Sequence, residues 1–335
     1  MSKRKPYLDY AKGIGILFIM LAHCIQYFQE MSTLNKFVCS FHVPIFFVAS
    51  GFLAWEKRER KYHFADWLRK KAKALLIPYV VYSLLNSSLK LGILLLKQSL
   101  TTEELRSELT ALFITGNGTV WFLLTLFFIE ILFWLFQNYI RTAYELAAIL
   151  FLVLPYQINA LNHNPVGVVL IRVIGGFGFF LTGYCACKWT ERCSLKKSGL
   201  ISAIAIIFGV TSYLFFGSNY SFFSGKFDKP TMSLLTGVCL SCAIVLTCHC
   251  LEENLKRIKL GKLLDYYGKN SLIIMLIHPT ILLLFTYPFA SAFASLTRAA
   301  SVFGALLLWG TIMILVFPAS QLVNRWFSWT IGKKK

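Results

Sequence analysis

The sequence predicts an all-α integral membrane protein, a bundle of about ten transmembrane helices with both termini in the cytoplasm. Three observations predict it. Of 335 residues, 57% are hydrophobic and 15% charged, against about 25% charged in soluble domains. Ten apolar stretches approach the ~20 residues that cross a ~30 Å hydrocarbon core. The cations fall unevenly on the loops that join those stretches, as the positive-inside rule requires of a multi-pass protein.

The stretches run over about 12–29, 36–54, 72–97, 119–138, 142–158, 166–187, 198–217, 230–250, 270–290 and 299–320. No small-residue cleavage site follows the first, so it reads as a span and not a signal peptide. The second carries Pro44 near its start and Ser50-Gly51 beyond, small residues that let helices approach closely. The third follows a strongly basic loop and holds Lys90 toward its outer end, where a lysine can snorkel. The fourth opens Gly116-Asn117-Gly118-Thr119-Val120-Trp121 and contains Glu130. The fifth is the weakest, with Glu145 near its start and Pro155 near its end. The sixth holds Arg172 among glycines that suit helix packing. The ninth carries Asn270-Ser271 at its inner end and His278-Pro279 near its middle. No appended soluble domain is expected, and residues 1–335 read as one membrane unit.

The net charge of +19 is a matter of topology and not a nucleic-acid footprint. With the N-terminus inside, twenty-five of the 34 Lys and Arg fall on the cytoplasmic side, among them Lys3 and Arg141. Six fall outside (Lys36, Lys97, Arg106, Lys226, Lys229 and Arg298), and Lys12, Lys90 and Arg172 lie within spans. Residues 56–73 exceed what topology needs. Their second half, from Phe64 through Trp67 to Arg69-Lys70-Lys71 and Lys73, has the pattern of an amphipathic interfacial helix. Such a segment suits anchorage on anionic membrane lipid or capture of a polyanion such as a nucleotide or coenzyme A.

Eleven residues separate Lys12 from His23. That turns about 1100° of helix, three turns plus about 20°, and puts both on one face about 16 Å apart. Asp9 lies close to the same line. An ionisable group at the mouth of a membrane helix, with a histidine deeper on the same face, points to chemistry or transport. The plain structural alternative is a snorkelling lysine and a histidine bonded to a neighbouring helix. Glu130 needs a partner at its depth, and Arg172 is the expected one; His42 and His278 complete the intramembrane set. No His-Glu-x-x-His or carboxylate cluster favours a metal, no Gly-x-Ser-x-Gly elbow occurs, and the nine cysteines read as small core residues. Asn117-Gly-Thr119 and Asn219-Tyr-Ser221 match glycosylation triplets, a pattern too short to assign a compartment. What remains is acid–base work by histidine in a semi-dry cavity, with a proton-coupled transporter or a non-catalytic scaffold as alternatives.

Taken together, several segments resemble the membrane-bound acyltransferase-3 family from end to end: Lys12-x10-His23; Phe41-His42-Val43-Pro44-Ile45-Phe46-Phe47 with Ser50-Gly51-Phe52; Arg69-Lys70-Lys71 leading to Leu76-Ile77-Pro78-Tyr79; Trp121-Phe122-Leu123; Arg172 before Phe179-Phe180-Leu181-Thr182-Gly183-Tyr184; and Asn270-Ser271-Leu272 with His278. The nearest likeness is to the compact, fucose-4-O-acetylase-like sugar O-acetylases. Many members carry Arg where this chain has Lys12, which keeps the charge but loses the bidentate fork. The resemblance implies transfer of an acyl group, acetyl above all, from cytoplasmic acetyl-CoA to a glycan or lipid-linked sugar at the outer face of a bacterial plasma membrane. It implies His23 as general base or transient acyl carrier. Asp9 or Glu130 would orient or relay, and Arg172, His42 or Ser50 would face the oxyanion. Lys12 and the 57–73 loop would hold the coenzyme A phosphates, and Trp121 and His278 would help bind substrate. Oligomeric state is not legible in such a sequence.

Overall fold

In hydrocarbon every backbone N–H and C=O needs a partner within its own segment, and this chain meets that demand almost wholly with helices. A computed structural model describes residues 4–28, 31–58, 63–140, 142–217, 220–227, 232–286 and 298–333. Lys3, Arg141, Asn219, Lys229 and residues 59–62 of the basic loop lie outside the described residues.

The helices are α1 (Pro6–Ile25), α2 (Ser32–Cys39), α3 (Pro44–Glu56), α4 (Phe64–Leu96), α5 (Thr102–Thr110), α6 (Trp121–Leu135), α7 (Tyr144–Gln157), α8 (Pro165–Thr190) and α9 (Leu195–Phe216). After a two-stranded hairpin, β1 (Tyr220–Ser221) and β2 (Lys226–Phe227), come α10 (Met232–Cys250), α11 (Glu252–Arg257), α12 (Lys259–Lys269), α13 (Ser271–Thr286) and α14 (Arg298–Trp326). The strands pair antiparallel, Tyr220 opposite Phe227.

Among the described residues seven helical spans are long and apolar enough to cross a membrane, with α2 and α3 counted as one. The pair α12–α13, bent by 81°, makes an eighth. The shorter apolar helices α7 and α10 stand where the fifth and eighth stretches are expected. The protein is therefore an all-α membrane protein in which every expected stretch falls on a helix.

The bundle has a centre and a rim. In α1 and α8, 67% of the apolar window is buried, against 22% in α4 and α9. The rim helices present Leu96, Leu146, Phe215 and Ile314 outward, as a lipid-facing surface does. At the centre α3 packs along α8, and the contact is close because both helices place glycine there. A Cβ on Gly51 would overlap the Phe180 carbonyl, and one on Gly183 the Val48 carbonyl.

Three local features depart from the sequence reading. The basic segment 64–71 is not a separate interfacial helix. It forms the first turns of the 33-residue α4, because Phe64 and Trp67 pack on Trp134 of α6, ring centroids 4.5 and 6.2 Å away, and draw the segment up against the bundle. The amphipathic helix that lies across the bundle is α12. It buries Gly261, Leu264 and Tyr267 on the face packed along α1 and leaves Leu260 and Leu263 exposed. Residues 102–110, expected as loop, form α5 on a capping box between Thr101 and Glu104.

Replacing Gly51 with Leu is expected to lower stability by about 1–3 kcal/mol through overpacking at α3–α8. Gly310→Ala, where an added Cβ meets nothing within 4 Å, is expected to be neutral or mildly stabilising. Thermal unfolding of the two variants in the same detergent checks the difference.

Candidate active site

Helix α1 carries two groups of polar side chains, one near each end. At the N-terminal end Asp9, 8% exposed, accepts a 2.6 Å bond from Arg4 Nε, and that bond holds the Arg4 guanidinium above its usual pKa. Lys5 pairs with Glu56 at 2.9 Å. Lys12 lies in the electrostatic field of Asp9, Arg4 and Lys71. Among the described residues no carboxylate comes within ion-pair distance of its ammonium. Lys71 is half-buried and bonds the Glu130 carboxylate of α6, whereas Arg69, Lys70 and Lys73 are exposed on the other side of α4. The four residues expected to act together are thus split: Lys71 faces the bundle with Lys12, and the other three face outward.

At the C-terminal end His23 and His42 line a cavity of about 520 Å³, together with Gln26, Asn35, Thr119, Trp121 and Phe222. His42 Nδ1 lies 2.9 Å from the Val38 carbonyl oxygen. A carbonyl only accepts, so this nitrogen carries the hydrogen and the neutral ring presents a bare Nε2. In that form His42 accepts a hydrogen bond through Nε2, whereas the oxyanion role implied by the resemblance needs Nε2 to donate. His278 is fully buried, with its ring centroid 5.2 Å from that of His23. Its Nδ1 donates to the Ile274 carbonyl at 2.8 Å, and its Nε2 has no partner among the described residues. Ser50 is half-buried on α3, eight residues or about 12 Å along the helix from His42, and does not line this cavity.

The expected Glu130–Arg172 ion pair does not form. Arg172 is 3% exposed and is held by backbone carbonyls: Nε donates to Phe222 at 3.0 Å, one terminal nitrogen to Thr115 at 2.5 Å, and the other to Phe223. Its guanidinium stands 4.9 Å from the Trp121 ring centre. The physical reason is supply and demand. Two loops bring the Thr115, Phe222 and Phe223 carbonyls into one spot, and a guanidinium has donors for all of them. Glu130, held by Lys71, belongs to the inner group. Lys90 likewise does more than snorkel: it bonds the buried Glu108 carboxylate.

The model of the acyltransferase-3 family, described as an acyltransferase domain, matches residues 5–325. The chain belongs to the acyltransferase-3 family. A curated relative, "Nodulation protein NolL" of Mesorhizobium japonicum, is 29% identical over 129 residues, 36% of this chain and 33% of the relative. The chain thus aligns with about a third of that relative's length. No solved structure matches.

In this member of the family several motif residues serve the scaffold. Asn270 sits at the α12–α13 bend, where its side chain donates to the Tyr266 carbonyl at 2.9 Å and accepts from Asn324 of α14 at 2.8 Å. Asn117 is buried, its amide donating to Ser83 and Ser87, so it is no glycosylation acceptor. All nine cysteines are free thiols. Sequence reasoning missed Ser221, Phe222 and Phe223, which roof the histidine cavity. Nothing in a short aromatic loop announces that a buried arginine will fold it inward.

Arg172→Lys is expected to unlatch this roof, since an ammonium cannot reach three carbonyls in one plane. A loss of about 1.5–3 kcal/mol follows from the lost charged hydrogen bonds. Unfolding monitored by tryptophan fluorescence, with Arg172→Gln as a second variant, checks it.

Proposed function

We propose that this acyltransferase moves an acyl group, acetyl above all, from cytoplasmic acyl-CoA to a hydroxyl of a cell-envelope or exported glycan. The observation that carries the reading is the arrangement along α1: an ion-unpaired Lys12 at the inner end, and His23 facing an outward cavity eleven residues on. Both termini lie in the cytoplasm in this reading, and the membrane is a bacterial plasma membrane. The basic balance of the loops supports that orientation. Family membership favours transfer over transport.

Coenzyme A is a polyanion, and Lys12 is an adequate point charge for a phosphate. Lys71, fixed by Glu130, adds a second cation beside it. Exposed Arg69, Lys70 and Lys73 widen the positive entrance and contact anionic lipid. The thioester then reaches outward along α1 toward His23. A sugar hydroxyl has a pKa far above neutrality and needs a base to act as a nucleophile. His23 takes the hydroxyl proton as the oxygen attacks the thioester carbonyl. The C–S bond breaks as the new C–O bond forms, and the thiolate leaves with the proton from the imidazolium. His278 stands behind His23 with a bare nitrogen that steadies this imidazolium, and His42 orients the incoming hydroxyl. The same His23 acts as acyl carrier if the donor reacts before the acceptor arrives.

His23→Ala is expected to abolish transfer while leaving membrane insertion intact. Lys12→Ala is expected to weaken acyl-CoA binding about tenfold, the worth of one charged contact. The deciding assay is acetyl-CoA turnover in lipid nanodiscs, wild type against His23→Ala, with and without envelope glycan. Thiol release that requires both His23 and glycan supports direct transfer. Release without glycan, with label retained on the protein, selects the acyl-histidine route. Unchanged acyl-CoA affinity in Lys12→Ala removes the phosphate role of Lys12.

A further inference from the structure

Proline has no backbone N–H, so inside a helix it leaves the carbonyl four residues before it without a helical partner. In α13 that proline is Pro279, and the carbonyl is that of Met275. A carbonyl freed in this way inside a membrane helix needs a substitute donor, and Ser or Thr side chains supply one. Here the donor comes from the turn that opens α6. The Thr119 hydroxyl donates to the Met275 oxygen at 2.6 Å, and both residues are buried.

The turn that delivers Thr119 is itself fixed. Gly116 and Gly118 have φ of 75° and 49°, left-handed backbone that favours glycine. A Cβ on Gly116 would overlap the Trp121 backbone. Between the two glycines the Asn117 amide donates to the Ser83 carbonyl at 3.0 Å and to the Ser87 hydroxyl at 2.7 Å, both on α4. The turn therefore ties α4 on one side to α13 on the other.

The tie ends beside an imidazole. His278 stands in the helical turn that Pro279 interrupts. Its Nδ1 donates to the Ile274 carbonyl at 2.8 Å, and the ring also interacts with the Met275 carbonyl. The position of the ring thus follows the backbone at residues 274 and 275. Across from it stands His23, at 5.2 Å between ring centroids. Thr119 and Met275 both line the cavity that holds His23 and His42.

We propose that Thr119 is a positioning residue for the histidine pair. Its hydroxyl replaces the N–H that Pro279 lacks. By holding the Met275 carbonyl it fixes the turn that carries His278 and so sets that ring against His23. The kinetic consequence rests on the acyl-transfer reading; the hydrogen bond itself is tested without turnover.

The test uses the full-length protein in lipid nanodiscs. Thr119→Val, which keeps the shape and removes the donor, is expected to lower the thermal midpoint by about 2–4 °C, and Thr119→Ser by less than half as much. In a Pro279→Ala background position 279 regains its N–H, so Thr119→Val should then have little effect on the midpoint. Infrared spectra of protein carrying carbon-13 at its methionine carbonyls read the same bond directly. Of the six methionines, one carbonyl band should rise in frequency in Thr119→Val and stay in place in Thr119→Ser. An equal midpoint loss in both backgrounds, or methionine bands that do not move, overturns the carbonyl role. In acetyl transfer to envelope glycan, Thr119→Val should lower kcat roughly tenfold or more at unchanged KM for acetyl-CoA, and Thr119→Ser should retain most of the rate. In a His278→Ala background Thr119→Val should cost no further rate. A further loss of the same size there, or a loss carried by KM, overturns the positioning role. Absence of turnover in the wild type defeats the transferase reading instead, and the midpoints and infrared bands still decide the bond.

Discussion

The register of one helix governs both ends of this protein. Helix α1 runs unbroken from Pro6 to Ile25, so the spacing between Lys12 and His23 is set by backbone hydrogen bonds and not by loops. The helix is held on several sides: α3 and α10 flank it, α12 packs along its inner half, and Trp309 of α14 donates to the Leu17 carbonyl at 3.0 Å. A helix pinned in this way cannot rotate, and a rotation of half a turn would carry Lys12 and His23 together out of the bundle interior.

Around that shaft the polar groups separate by chemistry. The N-terminal end of α1 is ionic, with Arg4–Asp9, Lys5–Glu56 and Lys71–Glu130 close together. The opposite end is built mostly from imidazoles, amides and carbonyls, which can be buried at lower cost than charges. Arg172 and Glu108 are the exceptions: backbone carbonyls surround the arginine, and Lys90 bonds the carboxylate. The division is the one that the proposed polyanionic donor and neutral hydroxyl acceptor would need. It also explains why Glu130 and Arg172, though both sit within spans, serve different ends of the molecule.

Polar atoms without a partner among the described residues lie at both ends of the bundle. Trp55 Nε1 and His249 Nδ1 stand in the half that holds Tyr7 and Asp9, and His278 Nε2, Asn86 Nδ2 and Asn117 Oδ1 in the half that holds His23. Each such buried group costs about 1–3 kcal/mol.

The sequence by itself determined the membrane class, the position of every apolar stretch, the shared face of Lys12 and His23, and the family. These follow from composition and helical period, which act over short distances along the chain. It did not determine which ionisable groups meet. Lys71 and Glu130 are 59 residues apart, and the choice of Lys71 over Arg172 depends on how α4 packs against α6. The continuation of the basic loop into α4, the bend at Asn270, and the inward fold of Phe222 and Phe223 onto Arg172 were decided in the same way. Aromatic packing on Trp134 settled the first, the bond from Asn324 to Asn270 holds the second, and the bonds from Arg172 to the loop carbonyls settled the third. The tertiary structure alone set the two cavities side by side, because Gly118, Phe223 and Pro279, from three separate parts of the chain, line both.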